Sequence, residues 1–289
     1  MIAILDTVIQ GVLLGGLYAL FAAGLSLVFG VMRLVNLAHG DIIVLGAYVL
    51  VTLAVQLGLG LPVAVLIAVP VMVAVGYGLQ RGILEATLGR DILPPLLTTF
   101  GLSIVLQNGL LQVFSADSRR LSAGAIEMAS LQLGGGIAIG VLPLVTFLSA
   151  VLVIIGLNAV FYRTSVGRAF RAVSDDPVTA QLMGVDHGRI FGYAVGLAFG
   201  VATLAALFLG IRANFDPTIG PARLIFAFEA VIMGGLGSLW GTLFGGIVLG
   251  VAQTAGASIN PEWQLLAGHL AFLAFLVARP RGLFPRAID

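Results

Sequence analysis

The sequence contains no cysteine and no lysine, and only 9% of its 289 residues are charged. Without cysteine the chain has no disulfide, no thiolate metal site and no cysteine nucleophile. All fourteen basic residues are therefore arginine. A Walker A phosphate loop needs its lysine on the nucleotide phosphates, so this chain does not hydrolyse ATP by that route.

The fourteen basic and thirteen acidic residues nearly cancel and leave a net charge of +1. A chain with so little excess charge has no field to attract nucleic acid, and we exclude nucleic acid as a partner. Soluble domains carry roughly 25% charged residues because their surfaces face water. With 60% hydrophobic residues, this chain is instead expected to face lipid.

Long uncharged runs predict several membrane-spanning helices, because a bilayer core takes about 20 apolar residues per helix. The N-terminal segment has no basic region before its apolar run and is interpreted as a retained first span rather than a signal peptide. The runs are Thr7–Met32, Ile42–Gln80 (two spans divided near Gly58, Gly60 and Pro62), Ile92–Ala116, Val141–Tyr162 after a turn-rich start, Ile190–Ile211 and Trp263–Ala278.

The stretch 224–261 is too long for one span and contains MGGLGS at 233–238. We interpret it as two short helices that meet at this glycine turn, either crossing twice or dipping in and returning. The fold class is therefore an all-α, polytopic transmembrane helical bundle in one domain, 1–289. It has seven to nine crossings, seven if 224–261 is re-entrant.

Arginine distribution predicts the orientation, since cytoplasmic loops carry the excess of basic residues. An outside N-terminus and an inside C-terminus give the larger arginine set to the cytoplasm. The inside set is Arg33, Arg81, Arg90, Arg163, Arg168, Arg171, Arg189, Arg279, Arg281 and Arg286, and the outside set is Arg119, Arg120, Arg212 and Arg223.

Ionisable groups inside the spans are the usual functional candidates in membrane proteins. Glu229 could line a pathway or be satisfied structurally by Arg223 or by an arginine of another subunit. His269 is expected to be a hydrogen-bonded packing residue. In NLAHGD, Asn36, His39 and Asp41 could cap the second span at the membrane boundary, or form a gate there.

An enzymatic reading finds little support. Ser258 and His269 are the available pair for an intramembrane serine hydrolase, but Ser258 does not lie in a GxSxG turn. Small residues four positions apart, such as Gly192, Gly196 and Gly200, indicate close helix packing. No metal-ligand pattern is present, and neither a catalytic nor a metal site is predicted.

Residues 163–189 form the largest predicted cytoplasmic loop, and they contain a short capped helix. Asp176 and Pro177 suit the N-cap and first helical position, and Gly184 suits a left-handed stop. Val178, Leu182 and Val185 fall on one face. A helix this short is marginal alone, so we expect it to dock on a partner. A helix lying on the lipid surface is the alternative. Such helices usually carry basic residues on their polar face, whereas this one has Asp175, Asp176 and Asp186 around it.

Three ordered segments resemble the permease subunits of branched-chain amino acid ABC importers. They are GGLYALFAAGLSLVFGVMRLVNLAHGD, GRAFRAVSDDPVTAQLMGVD and AFEAVIMGGLGSLWGTLFGGIVLG, the last followed by RPRGLFP. The resemblance implies that 163–189 contains a coupling helix for an ATPase subunit. The matching positions are Gly167, Arg168, Arg171, Asp176, Pro177, Ala180 and Gly184, with Val178 and Leu182 on the same helix.

The resemblance also implies the partners: two nucleotide-binding ATPase subunits that hold ATP and Mg²⁺, a second permease and a periplasmic substrate-binding protein. It places the chain in the bacterial inner membrane. Transport would proceed by alternating access, with no cofactor in this chain. Pathway candidates are Asn36, His39, Asp41, Glu229, Gly234, Gly235 and Gly237, the glycines because broken helices often form such elements.

Branched-chain amino acids are the favoured substrates under this resemblance, with urea or short amides as the alternative. The second permease could be a homologue or another copy of this chain. A stand-alone ion-coupled transporter or channel is the rival class, and the scarcity of buried charges argues against it.

Overall fold

A computed structural model describes residues 2–89, 91, 93–134 and 137–284. Arg90, Arg286 and Ile92, which entered the predictions above, lie outside the described residues. The described residues form eleven α-helices: α1 Ile2–Met32, α2 His39–Val51, α3 Leu61–Leu79, α4 Leu93–Phe114, α5 Val141–Arg163, α6 Ser165–Asp175, α7 Pro177–Leu182, α8 His187–Arg212, α9 Gly220–Gly234, α10 Leu239–Ile259 and α11 Trp263–Ala278.

Seven helices of the described chain are long and apolar enough to cross a membrane. They are α1, α4, α5, α8 and α10, together with α2 and α3 extended by π-helical and 3₁₀ turns to Gln56 and Thr87. The apolar α11 has 16 residues and α9 has 15. The predicted polytopic helical fold is confirmed.

The core is formed by α1 and α8. In the most apolar 18-residue stretch of each helix, 89% of the residues of α1 and 83% of those of α8 are buried. By contrast, less than a third of the corresponding stretch is buried in α3, α4 and α5, and these helices expose large aliphatic side chains. A helix that exposes apolar residues on most of its surface suits a lipid environment. The bundle therefore has an inner layer and a lipid-facing outer layer.

The two ends of the bundle are distinguished by what lies there. Residues 163–189 lie at one end, called the loop end below, where Ser174 of α6 donates to the carbonyl of Gly30 near the end of α1 at 2.8 Å. At the other end, β1 (Ser130–Gly134) and β2 (Ile137–Gly140) form an antiparallel hairpin. We call this the hairpin end. The sequence had indicated only a turn-rich segment here.

The region 224–261 resolves into helices of unequal length. Gly11 and Gly15 of α1 pack against Val251 and Ile247 of α10, so α10 runs antiparallel to α1 and begins at the loop end. It has 21 residues, enough to cross. The helix before it, α9, packs antiparallel to α10 but starts inside the bundle, where Gly220 touches Gly40 of α2. The chain thus returns to the loop end before α10 crosses.

Candidate functional site

The loop 163–189 is two helices, of which α6 is fastened to the bundle. Thr164 caps α6 by accepting from the amide of Gly167 at 3.0 Å. Gly167 lies directly against the carbonyls of Val160 and Phe161 at the end of α5, which leaves no room for a side chain. Phe170 is buried, with its ring centroid 5.3 Å from that of Phe161. These contacts join α6 to α5.

Polar contacts extend the attachment of α6. Arg171 donates to the carbonyl of Phe161, and its guanidinium carbon lies 5.2 Å from the ring centroid of Tyr162. Arg168, which also matches the loop pattern, is exposed. With Ser174 bonded to the carbonyl of Gly30, α6 is fastened to both α5 and α1.

The predicted capped helix is confirmed as α7. The Asp176 carboxylate accepts from the amides of Val178 and Thr179 at 2.9 and 3.1 Å and from the Thr179 hydroxyl at 2.5 Å. The hydrogen bond from that hydroxyl, followed by those from the amides, lowers the pKa of Asp176 below its ordinary value. The cap is therefore ionised at neutral pH. Pro177 occupies the first helical position.

The helix ends as the sequence indicates. Gly184 has φ of +85°, a left-handed conformation that favours glycine. The amide of Val185 then donates to the carbonyl of Ala180 at 3.0 Å, closing the turn. This geometry fixes the direction in which the chain enters α8.

One side of α7 has no partner within the described chain. Val178, Leu182 and Met183 are 67%, 82% and 81% exposed. Only Ala180 is buried, at 5%, and Val185 is half-buried. An aliphatic patch on a short capped helix at the end of a bundle is a surface suited to a protein partner. Of the three residues predicted to share one face, Val178 and Leu182 thus belong to the exposed patch, and Val185 packs partly against the bundle.

The NLAHGD segment lies inside the bundle, and its placement at the membrane boundary is wrong. Arg33 has φ of +53° and turns the chain back from the end of α1. Asn36 and His39 are each 2% exposed, and His39 Nε2 lies 2.8 Å from the carbonyl of Phe21, in the middle of α1. The reason is that residues 33–38 run back alongside α1 instead of joining α2 at the surface.

Side-chain capping of α2 is also not what the structure shows, since its N-cap is Ala38. Asn36 Oδ1 accepts from the amide of Ala38 at 3.0 Å, a local turn before the helix. Asp41, 1% exposed, instead accepts from the hydroxyl of Ser103 in α4 at 2.5 Å. The buried carboxylate therefore ties α2 to α4.

Glu229 is paired, but with a different residue from the one predicted. Its Oε1 lies 2.5 Å from Nδ1 of His269, whereas Arg223 is not its partner. Glu229 is 4% exposed, and the His269 ring stacks on Phe226 at a centroid distance of 6.2 Å. The pair joins α9 to α11. The two residues are 40 positions apart, a relationship that no local pattern signals.

The glycine turn 235–238 lies at the loop end, beside Asn158 and Phe161 of α5. Gly235 and Gly237 have φ of +104° and +79°, and Gly234 packs against the backbone of Gly241. Residues 283 and 284 donate to the carbonyls of Met233 and Gly234 at 2.9 and 3.0 Å. The helix ends that meet near the middle of the bundle are instead the first turns of α2 and α9.

Sequence reasoning missed α6 and the inward course of residues 33–38. The signal for α6 was present, since Val166, Phe170 and Val173 follow a helical spacing with arginines between them. Among the described residues, no group of three or more His, Asp or Glu side chains could hold a metal ion.

Comparison with known proteins gives a consistent result. Residues 7–277 match the family model described as branched-chain amino acid transport system, permease component. The permease protein BraD of Pseudomonas aeruginosa is 30% identical, covering 98% of this chain and 96% of the relative. The LivH permease protein of Escherichia coli is 26% identical, and the match covers 98% of this chain and 96% of LivH. The LivM permease protein of the same organism is 27% identical, and the match covers 93% of this chain and 68% of LivM.

Among solved structures, PsaBC from Streptococcus pneumoniae in complex with Fab matches with a TM-score of 0.51 and 16% identity, over 97% of both chains. That likeness shows a shared fold. The family match covers nearly the whole chain. It includes α6, α7 and the first turns of α2 and α9, which meet inside the bundle. The chain therefore belongs to the family of permease components of branched-chain amino acid transport systems.

Proposed function

We propose that the chain is the transmembrane permease subunit of an ABC importer in the bacterial inner membrane. It would translocate branched-chain amino acids by alternating access, driven by ATP hydrolysis on two partner ATPase subunits that bind ATP and Mg²⁺. The observation that carries this proposal is the construction of residues 163–189. They present an exposed aliphatic patch on α7 and connect it rigidly to the core helices.

The connection supports a coupling role because each part has a separate contact. Val178 and Leu182 face outward for an ATPase subunit, while Gly167, Phe170 and Arg171 anchor α6 to α5. Packed interiors transmit displacement because they deform little. A push on α7 would thus move α5 and α1 together, which is what alternating access requires.

The partners follow from what this chain lacks and from its relatives. With no lysine it cannot form a Walker A loop, so the ATPase is supplied by another chain. One organism has both LivH and LivM, and this chain is similar to each. A second homologous permease is therefore the expected neighbour, and a periplasmic binding protein would deliver substrate to the hairpin end.

A transport assay with the whole assembly tests the proposal. The chain is co-expressed with its second permease and ATPase subunits, reconstituted in proteoliposomes with ATP inside, and supplied with loaded binding protein outside. We expect uptake of leucine, isoleucine and valine that requires ATP and is unaffected by ionophores.

Two results would redirect the assignment. ATP-dependent uptake of urea or short amides, without leucine uptake, would keep the importer and change the substrate. Leucine uptake without ATPase subunits, abolished by ionophores, would identify an ion-coupled transporter and contradict the proposal.

A further inference from the structure

Two arginines lie close together towards the hairpin end of an otherwise apolar bundle. Arg212 is the last residue of α8, and Arg223 lies in the first turn of α9. Each guanidinium acts electrostatically on the hydroxyl of Tyr18 in α1, and the two repel each other. Arg212 is exposed and Arg223 half-buried. A half-buried arginine beside a second positive charge costs free energy unless an anionic group neutralises it.

Neither arginine has an acidic partner within the described chain. Arg223 Nε is buried and makes no hydrogen bond. Asp216 acts on Arg223, but its carboxylate accepts from the amide and hydroxyl of Thr218 at 2.8 and 2.5 Å. Glu229, whose charge reaches Tyr18, is held by His269. The positive charge of the arginine pair is therefore left without a neutralising ion pair.

Helix capping does not explain Arg212. A basic residue at the end of a helix can serve the free terminal carbonyls. Here the carbonyl of Gly210 accepts from the amide of Leu121 at 2.9 Å, and that of Ile211 accepts from Arg120 Nε at 3.2 Å. Because other groups already serve these carbonyls, helix capping does not account for the position of the Arg212 guanidinium.

Arg212 also forms one wall of a recess of about 180 Å³ between α1, α5, α8, α10 and α11. The remaining lining residues are neutral. Those with polar side chains are Gln10, Thr254 and Gln264, and the apolar ones are Leu14, Pro143 and Ala257. A single cationic group on a partly apolar wall is the arrangement that suits a small solute with one anionic end.

Hydrogen-bond donors without acceptors occur nearby. Gln253 is fully buried, and its Oε1 accepts from the Tyr18 hydroxyl, while its Nε2 has no acceptor. Together with Arg223 Nε, this gives two unpaired donors near Tyr18 against one unpaired acceptor, Oε2 of Glu229, and so a surplus of donors. Buried donors are normally satisfied, so the surplus calls for a group that only accepts. A carboxylate does so and matches the planar fork of a guanidinium.

We propose that Arg212 and Arg223 bind the α-carboxylate of the transported amino acid, and that the apolar wall of the recess receives its aliphatic side chain. The inference rests on the proposed function, which supplies the solute. Arg212 ends α8 near the hairpin end, whereas α9 begins inside the bundle. Arg212 lines the recess and Arg223 does not, so the carboxylate meets Arg212 first and Arg223 deeper along the path.

Cysteine protection tests this site without partners or ATP, because the chain has no native cysteine. Ala257→Cys places a thiol in the recess wall, and Ser258→Cys places an exposed thiol outside it. The full-length chain in phosphatidylcholine nanodiscs is labelled with a maleimide, with leucine or leucinamide present. Leucinamide keeps the side chain but lacks the carboxylate.

We expect leucine, but not leucinamide, to slow labelling of Ala257→Cys, with Ser258→Cys unaffected. Adding Arg212→Gln or Arg223→Gln should raise the leucine concentration for half-protection about tenfold or more, since a charge-assisted hydrogen bond is lost. Arg189→Gln, at an arginine of the first turn of α8 that is paired with Asp186 at the loop end, is the matched control and should leave protection intact.

Equal protection by leucine and leucinamide, or protection that survives both arginine substitutions, would overturn the carboxylate site. Absence of protection would overturn it as well. The other outcome is that leucine protects in a carboxylate-dependent way while the full assembly shows no ATP-driven uptake. This result would contradict the importer assignment and leave the carboxylate site standing. The two claims thus fail separately.

Discussion

The backbones of Gly40 in α2 and Gly220 in α9 touch inside the bundle, where both helices begin. The Asp41 carboxylate lies at the same point, against Gly220. Helix amino ends carry partial positive charge, so two of them facing each other would repel. The carboxylate oxygens of Asp41, in the first turn of α2 and against Gly220, oppose this repulsion.

Replacing Gly220 with alanine should destabilise this junction. A Cβ atom there would lie 2.7 Å from Cγ of Asp41 and 2.9 Å from its amide nitrogen. Because the obstacle includes backbone, we expect a loss of about 1–3 kcal/mol, typical of overpacking. Thermal unfolding of the purified protein in detergent measures the effect.

The matched control is Gly78→Ala in α3, where an added Cβ meets nothing within 4 Å. It should be neutral or slightly stabilising, because alanine is the better helix former. Similar unfolding temperatures for the two variants would show that the α2–α9 contact is not tight.

The Glu229–His269 pair should contribute to the stability of the α9–α11 contact. His269→Phe removes the partner of a carboxylate that is 4% exposed, and leaving a buried acceptor unsatisfied costs about 1–3 kcal/mol. Glu229→Gln should cost less, since an amide can still hydrogen-bond to the imidazole. Thermal unfolding of the single and double variants gives the coupling energy between the residues.

Strictly additive losses in that cycle would mean that the two side chains do not interact. A double variant less destabilised than the sum of the single variants is the expected outcome.

The Asp176 cap should matter for coupling and little for the fold of the bundle. Asp176→Ala removes the acceptor of the first amides of α7, so the helix should fray and present its patch poorly. We expect leucine uptake by the whole assembly to fall severalfold while the amount of folded permease stays constant. Asp175→Ala, at the neighbouring exposed carboxylate, is the control and should retain uptake.

A fall in folded protein equal to the fall in uptake would assign Asp176 a structural role alone. Equal uptake in the Asp176→Ala and wild-type assemblies would show that the cap is dispensable.

The sequence predicted what depends on local pattern and composition. Apolar runs gave the spans, and Asp176, Pro177 and Gly184 gave the limits of α7, because capping and turn preferences involve neighbouring residues. It did not give the inward course of residues 33–38. Contacts with distant elements hold this segment in place: the amide of Leu37 donates to Thr99 in α4, and the adjoining His39 contacts the carbonyl of Phe21.

The pairing of Glu229 with His269 was missed for the same reason, since it depends on how α11 packs on α9. The arginine recess could not be derived either. Arg212 and Arg223 look like ordinary loop arginines in the sequence, and only the packing of five helices gives Arg212 a recess. Long-range packing thus decided what local pattern could not.

The most direct test of the coupling role uses a single cysteine at Val178, which is 67% exposed on α7. In membranes that contain the partner subunits, Val178→Cys should crosslink to the ATPase subunit and react with an impermeant thiol reagent only after permeabilisation. Ser122→Cys, exposed at the hairpin end, is the control and should react from outside. Labelling of Val178→Cys from outside would contradict the orientation and with it the coupling role, and the absence of a crosslink to the ATPase subunit would contradict the coupling role.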